Sequence, residues 1–311
     1  MIIVQAPLRC SFFGGGTDFP EFYEEHGGCV LTTAINKYIY VIVKPRFDNK
    51  IRVTYRKAEL VKSVKDVKHE IVRECLKHVG IKGGIEVITI GDVPAGTGLG
   101  SSSAVTVGVL KALYAYVGRE MDAEQLALTA CYIEREMLHK PIGVQDQYIS
   151  AYGGFRFFEF TKGRIGGLKI PVETLFDHLL LFYTGISRDS SKILEIQSKN
   201  TRKNTAILLT MRGMASQAIG NPQFGELLDE SWQLKKQLGP ISSPKIDKWY
   251  EKAIKAGATG GKILGAGGGG FLLFYCPTNK KQAVRKALFR LTEIPISPEP
   301  DGAKVILNYR T

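Results

Sequence analysis

Paired cysteines and long apolar runs are both missing from this 311-residue sequence. Its five cysteines are odd in number and widely spaced, with no Cys-x-x-Cys pair, which argues against a disulfide framework and a structural zinc site. The histidines likewise show no His-Glu-x-x-His or other paired metal spacing. We therefore expect reduced thiols, as in the cytoplasm, and no metal site built on cysteine or histidine.

The apolar runs of the sequence are short. The longest, such as residues 179–183 and 271–276, are far below the roughly 20 residues that a membrane-spanning helix needs. Residues 1–7 predict a strand, because the basic start and longer apolar stretch of a signal peptide are missing. We expect no membrane association and a cytoplasmic location.

Acidic residues are outnumbered, with 30 Asp and Glu against 42 Lys and Arg, which gives a net charge of +12. The basic residues are scattered, and no paired-cysteine finger or aromatic RNA-binding strand accompanies them. We therefore expect no nucleic-acid partner. Two interpretations of the excess charge stay open: a solvated basic surface, or attraction of a phosphorylated small substrate.

The order of predicted elements indicates an α+β protein in two parts, residues 1–175 and 176–311. The first part mixes strands and helices, and the second is mostly helical before a final strand, helix and strand. In the first part we predict strands over 29–35, 38–43, 51–55, 84–90 and 154–160, and helices over 66–79, 103–117 and 122–138. In the second we predict helices over 190–219, 222–238, 244–256 and 280–291, and strands over 179–184, 270–275 and 304–308.

Residues 94–104 form a glycine–serine segment between a predicted strand and a predicted helix. Alternating Gly96, Gly98 and Gly100 allow a tight turn and close approach of a ligand. The first amides of the following helix have no intrahelical partner, so they suit a phosphate. The segment lacks the Lys-Ser/Thr pair of a P-loop. From these residues alone, a helix merely capped by serine remains an equal alternative.

Two further segments are rich in glycine. Residues 262–270 contain Gly-x-Gly-x-x-Gly, but a strand pattern follows where a dinucleotide-binding motif needs a helix. Residues 7–19 combine a lone arginine, Arg9, with a turn that ends in Thr17 and Asp18. Taken alone, Asp18 would be an ordinary turn residue.

In this order, the three segments resemble the motifs of the GHMP kinases, the family of galactokinase, homoserine kinase and the mevalonate kinases. The resemblance spans nearly the whole chain. It implies a ribosomal-S5-domain-2-like N-terminal domain, a ferredoxin-like C-terminal domain and an active site between them. It also implies that ATP is bound by Pro94, Gly96, Gly98, Leu99, Gly100, Ser101, Ser102 and Ser103.

Within the family, residues 13–18, 143–148, 153–155 and 183–188 are most similar to kinases of D-glycero-D-manno-heptose 7-phosphate. Galactokinases carry a Glu-His pair where this chain has Gly15-Gly16. We expect the two glycines to make room for a larger, phosphorylated sugar. The resemblance implies transfer of the ATP γ-phosphate to the anomeric hydroxyl, giving the 1,7-bisphosphate. The alternatives are a kinase for fucose, galactose or another hexose, or a catalytically inactive sugar sensor.

One carboxylate lies on an apolar face of the predicted helix over 122–138. Ala127, Cys131, Glu134 and Leu138 share that face by their spacing. A carboxylate there is costly unless it is paired or binds a metal, so a structural salt bridge stays open. The resemblance favours Mg²⁺, bound by Glu134 and a hydroxyl such as that of Ser102, together with ATP phosphates.

The resemblance also assigns the chemistry and the acceptor contacts. Asp146, which alone would be a helix cap, becomes the residue that accepts the hydroxyl proton, and Arg9 stabilises its charge. The acceptor would contact Gly14, Gly15, Gly16, Thr17, Asp18, Asp146, Gly267, Gly268 and Arg188. Lys37 and Arg188 are the candidates for a substrate phosphate. The oligomeric state stays open, with a homodimer as one option.

Overall fold

A computed structural model describes residues 1–172, 174–186 and 190–309. In chain order, its strands are β1 (Ile2–Phe13), β2 (Gly28–Pro45), β3 (Ile51–Thr54), β4 (Ala58–Val61), β5 (Ile85–Gly91), β6 (Phe155–Thr161), β7 (Arg164–Ile170), β8 (Leu179–Tyr183), β9 (Gly260–Ile263), β10 (Phe271–Tyr275), β11 (Thr292–Glu293) and β12 (Lys304–Asn308).

Helices separate these strands in both halves of the chain. They are α1 (Pro20–His26), α2 (Glu70–Val79), α3 (Ser101–Tyr116), α4 (Ala123–Cys131), α5 (Gln145–Tyr152), α6 (Ser190–Lys199), α7 (Thr205–Gln217), α8 (Phe224–Lys236), α9 (Pro244–Lys255) and α10 (Lys281–Ala287). Within the described ranges, no helix has the length and apolar composition needed to cross a bilayer.

The first sheet has the order β12-β1-β2-β5-β3-β4, with β6 and β7 continuing from one end of β2. The strand predicted in two pieces is continuous in β2. Pro7 pairs with Tyr38 and Leu8 pairs with Ile35, so Asn36 and Lys37 are extra residues that form a bulge. The turn signal at these two residues therefore marks a bulge, and the prediction of a strand break was wrong.

The second sheet is antiparallel in the order β11-β8-β10-β9. In chain order this is 4-1-3-2, the order of a ferredoxin-like sheet, so the predicted fold class is confirmed. A core around Trp232, Ile246 and Phe274 packs against this sheet. The larger core lies between the first sheet and the buried side of α3.

The last strand of the chain, β12, belongs to the first sheet. β12 pairs antiparallel with β1, so residues 304–308 return to the N-terminal sheet. A division at residue 175 therefore leaves one strand of the first sheet in the second part. The boundary itself stays a prediction.

Some predicted helices have different ends in the structure. The helix predicted over 66–79 begins at Glu70, with His69 as its N-cap, and it ends at Gly80 in a left-handed conformation as expected. The single helix predicted over 190–219 is two helices, α6 and α7. Asp122 caps α4 by accepting from the Gln125 amide, as its sequence pattern predicts.

Candidate active site

A cavity of about 170 Å³ lies where β1, the start of α3, the start of α5 and the loop after β9 meet. It collects residues that are far apart in sequence. Arg9, Asp18, Ser102, Asp146, Lys235 and Lys262 all line it. Charged groups of both signs therefore share one small, partly enclosed space.

The glycine–serine segment leads directly into α3 at one wall of this cavity. Gly96, Gly98 and Gly100 all have positive φ, between 74° and 85°. Gly100 is the N-cap of α3 and supplies no side-chain hydrogen bond. The first amides of α3 are therefore not capped by a serine, which removes the alternative left open by the sequence. An uncapped helix N-terminus of this length suits an anion.

The glycine-rich segment over residues 262–270 packs directly against the glycine–serine loop over residues 94–100. A Cβ atom at Gly98 would lie 2.4 Å from the Leu264 carbonyl oxygen, and one at Gly270 would lie 2.1 Å from that of Thr97. Such distances exclude any side chain. The glycines of residues 262–270 therefore allow close backbone contact with the loop over 94–100.

Arg9 and Asp146 form a two-point ion pair in the cavity. Arg9 Nε and Nη2 each donate to one oxygen of the Asp146 carboxylate, both at 2.7 Å. Arg9 Nη1 donates to the Gly98 carbonyl at 2.6 Å, which ties the pair to the glycine–serine loop. Because Asp146 lies in the first turn of α5, the ion pair holds two helix starts at fixed positions around the cavity.

Asp18 links the first segment to the start of α5. Its carboxylate accepts from the amides of Gly16 at 3.0 Å and Gln145 at 3.3 Å. A Cβ at Gly143 would lie 1.9 Å from Asp18 Oδ2, so only glycine permits this approach. Burial raises the pKa of Asp18, against the lowering effect of the amides. Its main structural effect is to position the turn that precedes Asp146.

Glu134 is fully buried, as the helix face predicts, although the helix geometry differs from expectation. The chain winds as a π-helix over Tyr132–Met137 after α4, a feature often found at functional sites. Ser102 Oγ donates to Glu134 Oε1 at 3.0 Å and Gln147 Nε2 donates to Oε2 at 2.7 Å.

No arginine or lysine within the described ranges forms an ion pair with Glu134. The structural salt bridge left open by the sequence is therefore not present among these residues. Burial raises the pKa of Glu134, and the nearby Lys140 charge and hydrogen bonds oppose that rise. A buried carboxylate beside the uncapped helix start suits a cation carried in with an anionic ligand.

Several predicted contact residues support the site from outside the cavity. Thr17 Oγ1 donates to the Gly14 and Cys29 carbonyls, so Gly14 and Thr17 shape the turn. Gly267 and Gly268 lie against Ile241, while Gly265 and Ala266 line the cavity in their place. Arg188 lies outside the described residues.

The structure also brings in residues that the sequence analysis did not single out. Ser11 Oγ and Gln145 Oε1 are buried at the cavity and have no hydrogen-bond partner among the described residues. Lys235 and Lys262 line the opposite wall, whereas Lys37 lies on β2 and is not among the lining residues. No local motif marks Lys235, because its position depends on how α8 packs.

A second groove, of about 770 Å³, continues from the other side of the glycine–serine loop. It shares Gly96, Ser101 and Ser102 with the cavity and is otherwise largely apolar. Its apolar lining includes Ile39, Ile71, Ile90, Val93, Pro94 and Val105. An elongated ligand could therefore place an apolar ring in the groove and its anionic end at the start of α3.

Comparison with known proteins gives matches over both halves of the chain. The family model for the GHMP kinases N terminal domain matches residues 62–154, and that for GHMP kinases C terminal matches residues 215–293. The D-glycero-alpha-D-manno-heptose 7-phosphate kinase of Campylobacter jejuni is 32% identical, over 92% of this chain and 93% of its own length.

Two further proteins are similar along nearly their whole length. The galactokinase of Pyrococcus furiosus is 25% identical over 93% of this chain and 93% of its own. The crystal structure of a D-glycero-D-manno-heptose 1-phosphate kinase from Bacteroides thetaiotaomicron superposes with a TM-score of 0.76 at 24% identity, covering 100% of both chains. The second of these similarities concerns the fold alone.

Proposed function

Because the chain belongs to the GHMP kinase family, we propose that it transfers the γ-phosphate of ATP to the anomeric hydroxyl of D-glycero-D-manno-heptose 7-phosphate. The product is the 1,7-bisphosphate. The observation that carries the proposal is the Arg9–Asp146 pair, which shares one cavity with the uncapped N-terminus of α3.

ATP, the phosphate donor, fits the glycine–serine loop with its phosphates and the apolar groove with its adenine. The β- and γ-phosphates would accept from the first amides of α3, where the helix dipole also favours negative charge. The adenine would occupy the apolar groove lined by Ile71, Ile90 and Val93. The glycines at 96, 98 and 100 keep this path free of side chains.

The residues beside the loop fit Mg²⁺. Glu134 and Ser102 offer two oxygens next to the expected phosphates, and Mg²⁺ takes few protein ligands when it is bound to a nucleotide. When bound, the ion would neutralise charge on the phosphates during transfer. Glu134 would hold the Ser102 hydroxyl in place, and Gln147 would fix the orientation of the Glu134 carboxylate.

The transfer step requires a hydroxyl oxygen in line with the γ-phosphorus. The oxygen forms a bond to phosphorus, the bond to the β,γ-bridging oxygen breaks, and ADP leaves. Asp146 accepts the hydroxyl proton, and Arg9 orients that carboxylate through its two-point contact. Asp18 holds the start of α5, and therefore Asp146, at its position.

The heptose phosphate is favoured over other acceptors by sequence similarity at matched coverage. The heptose 7-phosphate kinase is 32% identical and the galactokinase 25% identical, each over more than nine-tenths of this chain. Buried Ser11 Oγ and Gln145 Oε1, without partners among the described residues, suit an acceptor rich in hydroxyls. The ion pair at Asp146 and the buried Glu134 argue against an inactive sensor, which would not need to retain them.

The cysteines bear on the compartment in which the protein works. The described cysteines are all free thiols, which fits a reducing compartment such as the cytoplasm.

We propose a domain boundary between residues 175 and 176, on the similarity to the two family domains.

A panel of acceptors tests the function. ADP release is measured with heptose 7-phosphate, fucose, galactose, mannose and mevalonate, each with and without Mg²⁺, and the product is located by phosphorus NMR. We expect the highest kcat/KM with heptose 7-phosphate, only with Mg²⁺, and a new phosphate at the anomeric carbon. A higher kcat/KM with free fucose or galactose would identify the alternative acceptor.

A further inference from the structure

Two buried polar side chains lie beside the Arg9–Asp146 pair. Ser11, on β1, is 6% exposed, and Gln145, the first residue of α5, is 8% exposed. Both residues line the cavity, yet Ser11 Oγ and Gln145 Oε1 have no hydrogen-bond partner in residues 1–172, 174–186 and 190–309. A buried polar atom without a partner costs free energy, so a ligand that pairs with both atoms would gain affinity.

Gly15 leaves open space in front of these two side chains. A Cβ atom added at Gly15 would lie 3.8 Å from Ser11 Oγ and 3.9 Å from Gln145 Nε2. Gly15 itself lines the cavity, so this space is continuous with it. Ser11, Gly15 and Gln145 therefore surround a small polar recess in the cavity wall, which we call the Gly15 recess.

One carboxylate fixes the shape of the Gly15 recess. Asp18 accepts from the Gly16 amide at 3.0 Å and from the Gln145 amide at 3.3 Å. The turn that contains Gly15 and the start of α5 are therefore tied together. Because the recess is formed before a ligand arrives, a group that enters it loses little free energy to ordering the protein.

The Gly15 recess lies next to the group that takes the proton in the proposed reaction. Ser11 is two residues after Arg9 on β1, so both side chains face the same side of the strand. Gln145 directly precedes Asp146 at the start of α5. A sugar whose anomeric hydroxyl contacts Asp146 therefore has the neighbouring atoms of its ring at the recess.

Two groups flank the anomeric carbon of a sugar ring, and only one of them suits the recess. The ring oxygen carries no proton, so it cannot donate to Gln145 Oε1. The 2-hydroxyl can donate to Oε1 and accept from the Ser11 hydroxyl at the same time. We propose that Ser11 and Gln145 bind the 2-hydroxyl of the acceptor in the Gly15 recess. The inference rests on the proposed function, which puts the anomeric hydroxyl at Asp146.

The proposal identifies how the site distinguishes sugars that differ at a single carbon. A sugar of the opposite configuration at C2 directs its hydroxyl to the other face of the ring, and a 2-deoxy sugar has no hydroxyl there. Either acceptor leaves the two buried atoms without a partner. Ser11 and Gln145 therefore select for the manno configuration at C2.

Calorimetry with three sugar phosphates tests the inference without turnover. Mannose 6-phosphate and glucose 6-phosphate carry the 2-hydroxyl on opposite faces of the ring, and 2-deoxyglucose 6-phosphate lacks it. With a non-hydrolysable ATP analogue bound, we expect the unmodified protein to bind mannose 6-phosphate about 10-fold more tightly than either of the others. Equal affinities for the three would overturn the proposal.

Ser11→Ala and Gln145→Leu remove the two polar groups one at a time. In each variant the preference for mannose 6-phosphate over 2-deoxyglucose 6-phosphate should fall from about 10-fold to below about 3-fold. Ser150→Ala is the matched control, because Ser150 is also buried and its hydroxyl also lacks a partner among the described residues, but it does not line the cavity. The control should keep the full preference. A preference that both cavity variants retain would contradict the assignment.

Gly15→Ala fills the recess and keeps both polar groups. The added Cβ is at an ordinary contact distance from them and the φ of Gly15 is not positive, so the melting temperature should not change. Binding of mannose 6-phosphate should weaken about 10-fold, while that of 2-deoxyglucose 6-phosphate should stay within about 3-fold. An equal loss for both sugars would show that the recess does not hold the 2-hydroxyl.

Turnover separates this inference from the proposed function. If both hold, kcat/KM for heptose 7-phosphate falls about 10-fold in Ser11→Ala and Gln145→Leu and is unchanged in Ser150→Ala. Turnover that none of these variants affects would retain the function and reject the recess. The expected preference in calorimetry, without turnover of heptose 7-phosphate, would retain the recess and reject the acceptor. If the hexose phosphates bind too weakly for calorimetry, the turnover comparison decides.

Discussion

The two walls of the cavity satisfy their charges in different ways. On the wall built from β1, α3 and α5, Arg9 is paired with Asp146, and Glu134 is held by Ser102 and Gln147. On the wall built from α8 and β9, Lys235 donates to the Gly265 carbonyl and Lys262 donates to the Phe12 carbonyl. The ion pair keeps a geometry ready for chemistry, whereas the Phe12 carbonyl supplies no negative charge to Lys262.

The difference separates an expected effect on catalysis from one on stability. Substitutions of the charged groups on the first wall should lower kcat with little effect on binding, because these groups act on the transferred phosphate. Substitution of Lys262 on the second wall should mainly change the stability of the protein, because its ammonium group is buried. A result that mixes these two patterns would contradict the division.

The largest expected effect is at Asp146. Asp146→Asn removes the proton acceptor and the charge paired with Arg9, so kcat should fall about 10³-fold. The affinity for ATP, measured by calorimetry, should stay within about 3-fold, because Asp146 lies outside the nucleotide groove. A variant with a near-normal rate would exclude Asp146 as the base.

The second effect is at Glu134 on the same wall. Glu134→Gln keeps the shape of the side chain and removes its charge, so kcat at saturating ATP should fall about 10²-fold. The Mg²⁺ concentration needed for half-maximal activity should rise. The empty variant should melt at a higher temperature than the unmodified protein near pH 8, because the buried charge is gone. An unchanged Mg²⁺ dependence would remove Glu134 from the metal site.

The third effect concerns the contact between the two glycine-rich loops. Gly98→Ala should lower the free energy of unfolding by about 3 kcal/mol, because its Cβ would clash with the Leu264 carbonyl at a positive φ. Gly80→Ala is the matched control: its φ of 83° is close to the 85° of Gly98, but nothing lies within 4 Å of the added atom. The control should cost about 1 kcal/mol from backbone strain alone.

Urea unfolding of both glycine variants makes this comparison. Equal losses in the free energy of unfolding would show that strain, rather than contact between the loops, determines the cost at Gly98.

The smallest effect is the pH dependence of stability at Lys262. Its folded-state pKa is lowered below the usual 10.5, so the folded protein binds fewer protons than the unfolded chain as the pH falls below that value. The unmodified protein therefore loses stability as the pH falls from 10.5 towards the folded-state pKa. Lys262→Met should be free of this loss, so its advantage in melting temperature should grow from pH 10 to pH 7.

Lys252→Met controls for the loss of one positive charge. Its melting temperature should follow that of the unmodified protein at every pH, because Lys252 is exposed. A pH-independent difference for Lys262→Met would show that the pKa of Lys262 is not lowered in the folded protein.

Elements with a local pattern were predictable, while their exact ends and pairings were less so. The helix after residues 94–104, the Asp122 cap and the Gly80 end follow from side chains close in sequence. The continuity of β2 through Asn36 and Lys37 does not, because the bulge is stabilised by pairing with β1. Likewise, nothing near residues 304–308 indicates that this strand returns to β1.

The candidate site shows the same division. Arg9, Glu134 and Asp146 could be proposed from motifs, since each lies in a segment with a recognisable pattern. Lys235, Gln145 and Ser11 could not, because their roles depend on which backbone segment packs beside them. Gly267 and Gly268 were predicted to contact the acceptor, yet they pack on Ile241, since the loop turns its other residues towards the cavity.

The sequence by itself determined the family, the glycine–serine turn before α3 and the burial of Glu134, because glycine spacing and helical periodicity are local properties of the chain. Only the tertiary structure decided which charges face each other across the cavity. Burial and long-range pairing set that arrangement: Arg9 meets Asp146 across 137 residues, and Lys262 meets Phe12 across 250. The ion pair on one wall and the buried ammonium of Lys262 on the other are therefore properties of the fold.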